Sequence, residues 1–338
     1  MRVLVVLFGG VDFQYLEKFD CPNLKQSQYG RLDVDELWRG RDVATQITSQ
    51  FITGETWRES GVLGRKRYLN ERTEHLEKRH IRTRARGHPV LEPLERKTRF
   101  LRTGFYALGP GFSPRQRNYL RDDLQCETLF DRIPDSKAIY VPSYNPEPSW
   151  ALDRNILDPR YYSSLGEAGA LDLAEKNFTW RRQRLFDEAD SDHDLLMAQF
   201  QILDSLQHLY LVYSDEPRLD KIKEIYERID AFAAEIKETF DQYDRVLFLS
   251  DNGAATTQSG RTHRNRPFYS ISDDFDIEGE NIRDFFDHVL SWVRETDGNG
   301  SDRDETTNGA DDAVKQEDRQ TSDLSSTEND GDTVASSR

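Results

Sequence analysis

The chain has 338 residues and a formal net charge of −16, a length that suits one large domain or two smaller ones. The strong negative charge argues against a general nucleic-acid binder, because contacts with phosphate groups need a basic surface. Only two cysteines, Cys21 and Cys126, are present, which excludes a disulfide framework and a cysteine-based zinc site.

The first half of the chain predicts a buried strand, a short helix and a basic insertion. Residues 3–8, VLVVLF, form a continuous apolar run before two glycines, which is typical of a strand that is buried on both faces. Residues 43–54 suit a short helix with Gly54 as its C-terminal cap. Residues 65–103 carry thirteen Lys or Arg against five Glu, and this basic block predicts a solvated helical insertion within a cap of about 65–135. The alternative is a basic lid that attracts an anionic substrate or partner.

The second half of the chain alternates strands and helices. Apolar runs at 137–142, 195–200 and 245–250 have the character of the first strand. The apolar side chains of 219–240 recur at spacings of three and four residues, which predicts an amphipathic helix, and 282–295 predicts a final one. This order of elements predicts an α/β fold in which a mostly parallel sheet is sandwiched by helices.

The C-terminal composition and the surface charge lead to three further expectations. Residues 296–338 contain twelve acidic and four basic side chains and no aromatic ones, so we expect a disordered acidic tail after a domain at 1–295. Arg outnumbers Lys by 35 to 11, and with the acidic surface this predicts a halophilic protein, since high salt screens charge repulsion. No apolar run reaches the length of a membrane span, and Val3–Phe8 is too short for a secretory signal, so we expect a cytoplasmic protein.

Side chains that can bind a metal follow several of the predicted strands. Asp204 and His208 are four residues apart, a spacing that places both on one face of a helix. The carboxyl ends of parallel strands meet at one edge of the sheet, where α/β folds collect ligand sites. For any single feature, a helix-capping Asp or a solvated Asp/His pair is the simpler interpretation. The whole set suits one or two ions of Zn²⁺, Mn²⁺ or Mg²⁺ and consists of Asp12, Asp204, His208, Asp251, Asn252 and His263.

Six segments occur in an order that a known superfamily shares. They are VLFGGVD, CPNLKQSQYG, FITGETWRESGV, TLFDRIPDSKAIYVPSYNPEP, ILDSLQHLYLVYSDEP and VLFLSDNG…GRTHR. The chain resembles the alkaline phosphatase superfamily, especially its phosphodiesterase/nucleotide pyrophosphatase and cofactor-independent phosphoglycerate mutase branches. The resemblance runs from residue 3 to about 270, apart from the basic block at 65–103. It implies two metal positions, the first held by Asp204, His208 and His263 and the second by Asp12, Asp251 and Asn252.

Two departures from the superfamily pattern concern the nucleophile and one ligand. Relatives place the nucleophile ten residues before the Gly of the TG dipeptide, and that count from Gly54 reaches Ala44, which has no hydroxyl. Thr45 is one residue away and is our candidate at the helix N-terminus, with Thr48 as a further one. Asn252 replaces the usual His, and its neutral amide oxygen favours Mg²⁺, Mn²⁺ or Ca²⁺ over a second Zn²⁺.

The predicted function is a metal-dependent hydrolase of a phosphate mono- or diester with a small anionic substrate. Ala44 and Asn252 favour an alternative, a catalytically impaired superfamily member that binds an anionic ligand or a partner protein. A sulfatase-like hydrolase with a single ion is a third alternative, because sulfatases of this superfamily also carry SDNG. It is the least favoured, because the chain lacks their Cys/Ser-x-Pro-x-Arg motif.

Overall fold

The computed structural model describes residues 1–34, 44–64, 67–68, 116–145, 159–256, 263–264, 266–273 and 281–294. The predicted tail at 296–338 and most of the predicted insertion at 65–135 lie outside these residues. The strands within them are β1 (Val3–Phe8), β2 (Gln28–Arg31), β3 (Arg67–Tyr68), β4 (Gln116–Arg117), β5 (Ser136–Ile139), β6 (Leu195–Phe200), β7 (Arg245–Leu249) and β8 (Phe268–Ile271).

Six of these strands form one mixed sheet in the order β2-β8-β7-β1-β6-β5, and β3 pairs with β4. The four strands β5, β6, β1 and β7 are parallel, whereas β8 is antiparallel to both β7 and β2. The prediction of a mostly parallel sheet is therefore confirmed, with an antiparallel strand near one edge.

Helices lie in most of the connections between strands. Among the described residues, none of them has the length and apolarity that crossing a membrane requires. A 3₁₀ helix at Arg121–Asp123 and a π-helical turn at His208–Val212 add to the α-helices. The α-helices are α1 (Phe13–Lys18), α2 (Ala44–Thr53), α3 (Trp57–Ser60), α4 (Leu129–Arg132), α5 (Pro159–Phe186), α6 (Ile202–Gln207), α7 (Leu219–Thr239) and α8 (Phe285–Arg294).

The sheet separates two apolar cores, because alternate residues of a strand point to opposite faces. The even-numbered residues of β1 pack in one core with α7, including Phe232. The odd-numbered residues pack in the other core with Phe51 of α2 and Trp292 of α8. Both faces of β1 are thus covered, which explains why every residue of this strand is apolar. The second core also contains Tyr119 and Leu124, from the described end of the predicted insertion.

Two predicted helices have the expected positions in the structure, whereas one strand and one helix differ from the prediction. The helices predicted at 43–54 and 219–240 are confirmed as α2 and α7, and Gly54 follows α2 with a left-handed φ of 69°. The strand predicted at 137–142 ends earlier, at Ile139, because Tyr140 has a φ of 55° and cannot continue a strand. The helical segment α5, which a kink at Gly166 divides in two, was not predicted.

Candidate metal centre

Three parallel strands deliver candidate metal ligands to one edge of the sheet. Phe8 of β1 lies opposite Phe200 of β6, and Leu7 of β1 lies opposite Leu249 of β7. The segments that follow these strands therefore begin side by side at the carboxyl edge. They carry Asp12, Asp204, His208, Asp251 and Asn252.

Asp204, His208 and His263 come together in a cluster. The Nε2 atom of His263 lies 2.7 Å from Oδ1 of Asp204 and 3.0 Å from Nε2 of His208. The Nε2 atom of His208 lies 3.7 Å from the same carboxylate oxygen. Helical spacing brings Asp204 and His208 together, and His263 joins them because it forms an antiparallel bridge with Ala255. One ligand atom from each of the three residues lies within 4.8 Å of the others, and this donor set suits Zn²⁺ or Mn²⁺.

The burial and the backbone of this cluster also favour a functional role. Asp204, His208 and His263 are 5%, 8% and 7% exposed. Burying a charged group is costly unless it is paired or binds a cation. His208 begins the π-helical turn His208–Val212 directly after α6 ends, and such turns are rare and frequently lie at functional sites.

Asp251 and Asn252 present buried oxygen atoms that accept no hydrogen bond from the part of the chain that the structure describes. Neither carboxylate oxygen of Asp251 nor Oδ1 of Asn252 has a hydrogen-bond partner among the described residues. Burial and, to a smaller extent, the Asp204 carboxylate raise the pKa of Asp251 to about 7, and His263 opposes this rise. The backbone N–H groups of Asp251 and Gly10 also lower this pKa, although neither makes a hydrogen bond of acceptable geometry with the carboxylate. Oxygen atoms that only accept and are buried without partners fit a divalent cation.

Asp12 has a structural role that leaves it able to bind a cation. Its Oδ1 accepts hydrogen bonds from the backbone N–H groups of Gln14 and Tyr15 and so caps α1. Its Oδ2 accepts the Ala254 N–H at 3.1 Å, which joins the segment after β1 to the segment after β7. Gly253 permits this contact, because a Cβ atom there would lie 2.7 Å from that oxygen. A carboxylate offers about four lone-pair sites, so Asp12 keeps capacity for a metal ion.

The candidate nucleophile lies in the first turn of α2. Thr45 is buried there, and the Ser143 hydroxyl donates to its carbonyl oxygen at 2.9 Å. This hydrogen bond fixes the turn against the loop that follows β5. Ser143 and Tyr140 in that loop have left-handed φ values of 65° and 55°, a strained backbone for residues other than glycine that occurs preferentially at functional sites. Thr48 is fully buried, and its hydroxyl has no partner among the described residues.

The residues that hold these segments in place are not apparent from the sequence. Tyr226 belongs to the apolar stripe of α7, yet its hydroxyl accepts the backbone N–H of Asp12 at 2.8 Å. No motif distinguishes Ser143 in the sequence. Gln207 carries a visible signal, since it is a polar residue directly before His208, a candidate ligand.

Several solved structures are similar to this chain at low identity. Murine ectonucleotide pyrophosphatase/phosphodiesterase 5 is 12% identical, with 76% of this chain and 59% of that chain covered and a TM-score of 0.38. The human protein of the same name is 11% identical, with coverage of 75% and 57% and a TM-score of 0.40. Phosphonoacetate hydrolase from Sinorhizobium meliloti 1021, in complex with phosphonoformate, is 11% identical, with coverage of 75% and 56% and a TM-score of 0.40. The chain thus spans less than two thirds of the length of each of these structures.

The sequence model of one protein family matches nearly the whole chain. A search of curated proteins gave no match. The sequence model of the family described as type I phosphodiesterase / nucleotide pyrophosphatase matches residues 3–333. This match extends over the basic block at 65–103 and most of the acidic tail, both of which the motif resemblance left out. The chain therefore belongs to the type I phosphodiesterase / nucleotide pyrophosphatase family of the alkaline phosphatase superfamily.

Proposed function

We propose that the protein is a divalent-metal-dependent hydrolase of phosphate mono- or diesters. The observation that carries this proposal is the buried cluster of Asp204, His208 and His263 at the carboxyl edge of the sheet. Membership of the type I phosphodiesterase / nucleotide pyrophosphatase family supports it. The buried oxygen atoms of Asp251 and Asn252, which accept no hydrogen bond from any described residue, support a second ion in the same centre.

The two proposed metal positions differ in donor chemistry. The imidazole position consists of Asp204, His208 and His263, and its nitrogen and oxygen donors suit Zn²⁺ or Mn²⁺. The oxygen position consists of Asp12, Asp251 and Asn252, and its hard donors suit Mg²⁺, Mn²⁺ or Ca²⁺. Bound ions would supply stabilisation of the charge on a phosphate group and would favour the ionised form of a nearby hydroxyl.

Thr45 is the proposed nucleophile. It lies in the first turn of α2, where backbone N–H groups without helical partners favour an anionic phosphate group. Thr45 keeps an exposed fraction of 7%, whereas Thr48 is 0% exposed, so a substrate reaches Thr45 more readily. The hydroxyl oxygen of Thr45 would lose its proton and attack phosphorus while the ester oxygen leaves with its bonding electrons and takes up a proton. A water molecule would then attack the phosphorylated Thr45, release phosphate or a phosphate monoester, and restore the hydroxyl. The hydrogen bond from Ser143 would hold the turn in place during this step.

Hydrolysis of model esters tests the proposal. Protein treated with EDTA would be supplied with Zn²⁺, Mn²⁺ or Mg²⁺ and assayed with p-nitrophenyl phosphate and bis-p-nitrophenyl phosphate at low and high salt. We expect turnover that depends on the added metal. Thr45→Ala should lower kcat by at least about a thousandfold, because the nucleophile is lost, and Thr45→Ser should retain measurable turnover.

The controls distinguish the nucleophile from the reaction. Loss of activity in Thr48→Ala, with Thr45→Ala unaffected, would transfer the nucleophilic role to Thr48. Folded wild-type protein that hydrolyses neither ester with any of the three metals would contradict the proposal. That result would favour the alternative of a member that binds an anionic ligand without catalysis.

A further inference from the structure

Gln207 links the segments that carry the candidate ligands, although it is not a ligand itself. Its side chain is fully buried. The amide Nε2 donates to the carbonyl oxygen of Gly10 at 2.8 Å, and the amide Oε1 accepts the backbone N–H of Ala255 at 3.0 Å. Both ends of one side-chain amide are thus bonded to backbone groups that are distant in sequence.

These two hydrogen bonds join all the parts of the centre. Gly10 lies in the segment after β1, which carries Asp12. Ala255 lies in the segment after β7 and forms the bridge that returns His263. Gln207 itself lies in α6, which contains Asp204 and ends directly before His208. One side chain therefore connects every segment that contributes to the imidazole position or the oxygen position.

Close backbone packing supports the same junction. The backbone N–H of Asp204 donates to the carbonyl oxygen of Gly9 at 3.1 Å. Gly10 has a φ of 87°, and a Cβ atom there would lie 2.9 Å from Cα of Asp204. The segment after β1 and α6 are therefore in contact without intervening side chains, so a shift of one moves ligands of both metal positions.

A primary amide of this length is the group that can make both bonds. Met has a similar length but neither donates nor accepts a comparable hydrogen bond. Glu can accept the N–H of Ala255, but when ionised it cannot donate to Gly10. Buried backbone groups without partners are unfavourable. Either substitution therefore leaves at least one of these backbone groups without its partner and frees the segment that carries it to move.

We infer that Gln207 is a positioning residue that sets the separation between the imidazole position and the oxygen position. The inference rests on the proposed function, because it assigns Gln207 a role in a metal centre. Replacing residues that orient metal ligands from outside the ligand set typically changes metal affinity by about 10- to 100-fold.

Titration of metal-free protein with Co²⁺, followed by visible absorption, tests this inference without measuring hydrolysis. Gln207→Met should weaken Co²⁺ binding by about 10- to 100-fold and change the absorption spectrum, which depends on ligand geometry. Gln50→Met is the matched control, because Gln50 is also fully buried and neither of its amide atoms has a partner among the described residues. It should bind Co²⁺ with the affinity and spectrum of the wild type. Urea unfolding of the same samples measures whether the substitution lowers the free energy of unfolding. A general loss of stability alone would leave the Co²⁺ spectrum of the folded protein unchanged.

The outcomes separate the inference from the proposed function. Folded Gln207→Met protein with wild-type affinity and spectrum would overturn the inference. If Gln207→Met does not fold, Gln207→Glu decides, since it keeps the bond to Ala255: a changed spectrum supports the inference and a wild-type spectrum overturns it. Wild-type protein that binds no Co²⁺ would overturn both claims. Normal Co²⁺ binding without hydrolysis would overturn the proposed function alone.

Discussion

Asp251→Asn separates the electrostatic cost of a buried carboxylate from its value in binding metal. Asp251 is fully buried, and neither of its carboxylate oxygens has a hydrogen-bond partner among the described residues. Asn has nearly the same shape and does not ionise. We therefore predict that, without metal, Asp251→Asn protein is more stable than the wild type at neutral pH.

The size of this effect follows from the pKa of Asp251, which burial and the nearby Asp204 carboxylate raise from an ordinary value of 3.8 to about 7. Below about pH 4 the carboxyl group is protonated in both the folded and the unfolded protein, so its burial as a charge does not lower the free energy of unfolding. Between about pH 4 and pH 7 the unfolded chain releases this proton and the folded chain keeps it, so stability falls as the pH rises. At about 1.4 kcal/mol per pH unit, the wild type loses roughly 4 kcal/mol of unfolding free energy over this interval.

Urea unfolding in EDTA, from about pH 5 to about pH 8, measures this difference between the two proteins. We expect the wild type to lose stability relative to Asp251→Asn across the interval. Saturating Mn²⁺ should reverse the order, because an ion that binds only the folded state stabilises it. If Asp251→Asn is less stable than the wild type in EDTA at high pH, and both proteins show the same pH dependence, the reasoning about Asp251 is refuted.

Three further substitutions test other contacts of the site. Gly10→Ala should lower the unfolding free energy by about 1–3 kcal/mol in a urea titration, since Gly10 has a left-handed φ and an added Cβ would meet Asp204; wild-type stability would contradict the packing described. His263→Ala should remove ion binding at the imidazole position in a calorimetric Zn²⁺ titration, and an unchanged affinity would exclude His263 as a ligand. Ser143→Ala should lower kcat by about tenfold through misplacement of Thr45 with metal affinity unchanged, and an equal loss of metal affinity would count against this role.

The centre of the fold was predictable because its strands are covered on both faces. β1, β6 and β7 consist almost wholly of buried apolar residues, and such runs indicate strands without knowledge of their partners. The outer strands carry no comparable signal. β2 has the sequence QYGR with alternating half-buried and exposed residues, and β8 has only four residues. α5 escaped prediction because its sequence lacks a clear apolar stripe and Gly166 interrupts it with a φ of 67°.

The proximity of the candidate ligands was predictable where they are close in sequence or follow recognisable strands. Asp204 and His208 are linked by helical spacing, and that spacing brings them together in the structure. The sequence suggests only that a loop returns His263 to the same edge of the sheet. The position of His263 depends on its antiparallel bridge to Ala255, which the sequence does not indicate. The position of Gln207 directly before His208 marks it in the sequence, but its role could not be inferred there, because its partners are backbone groups, which have no residue-specific signature.

Diffraction from crystals grown with Zn²⁺ and Mn²⁺, recorded on both sides of each metal absorption edge, tests most directly whether these side chains form a metal centre. We predict one anomalous peak between the side chains of the imidazole position, Asp204, His208 and His263. We predict a second peak, stronger with Mn²⁺ than with Zn²⁺, between the oxygen atoms of Asp12, Asp251 and Asn252. Crystals in which neither metal occupies the imidazole position would contradict the central claim.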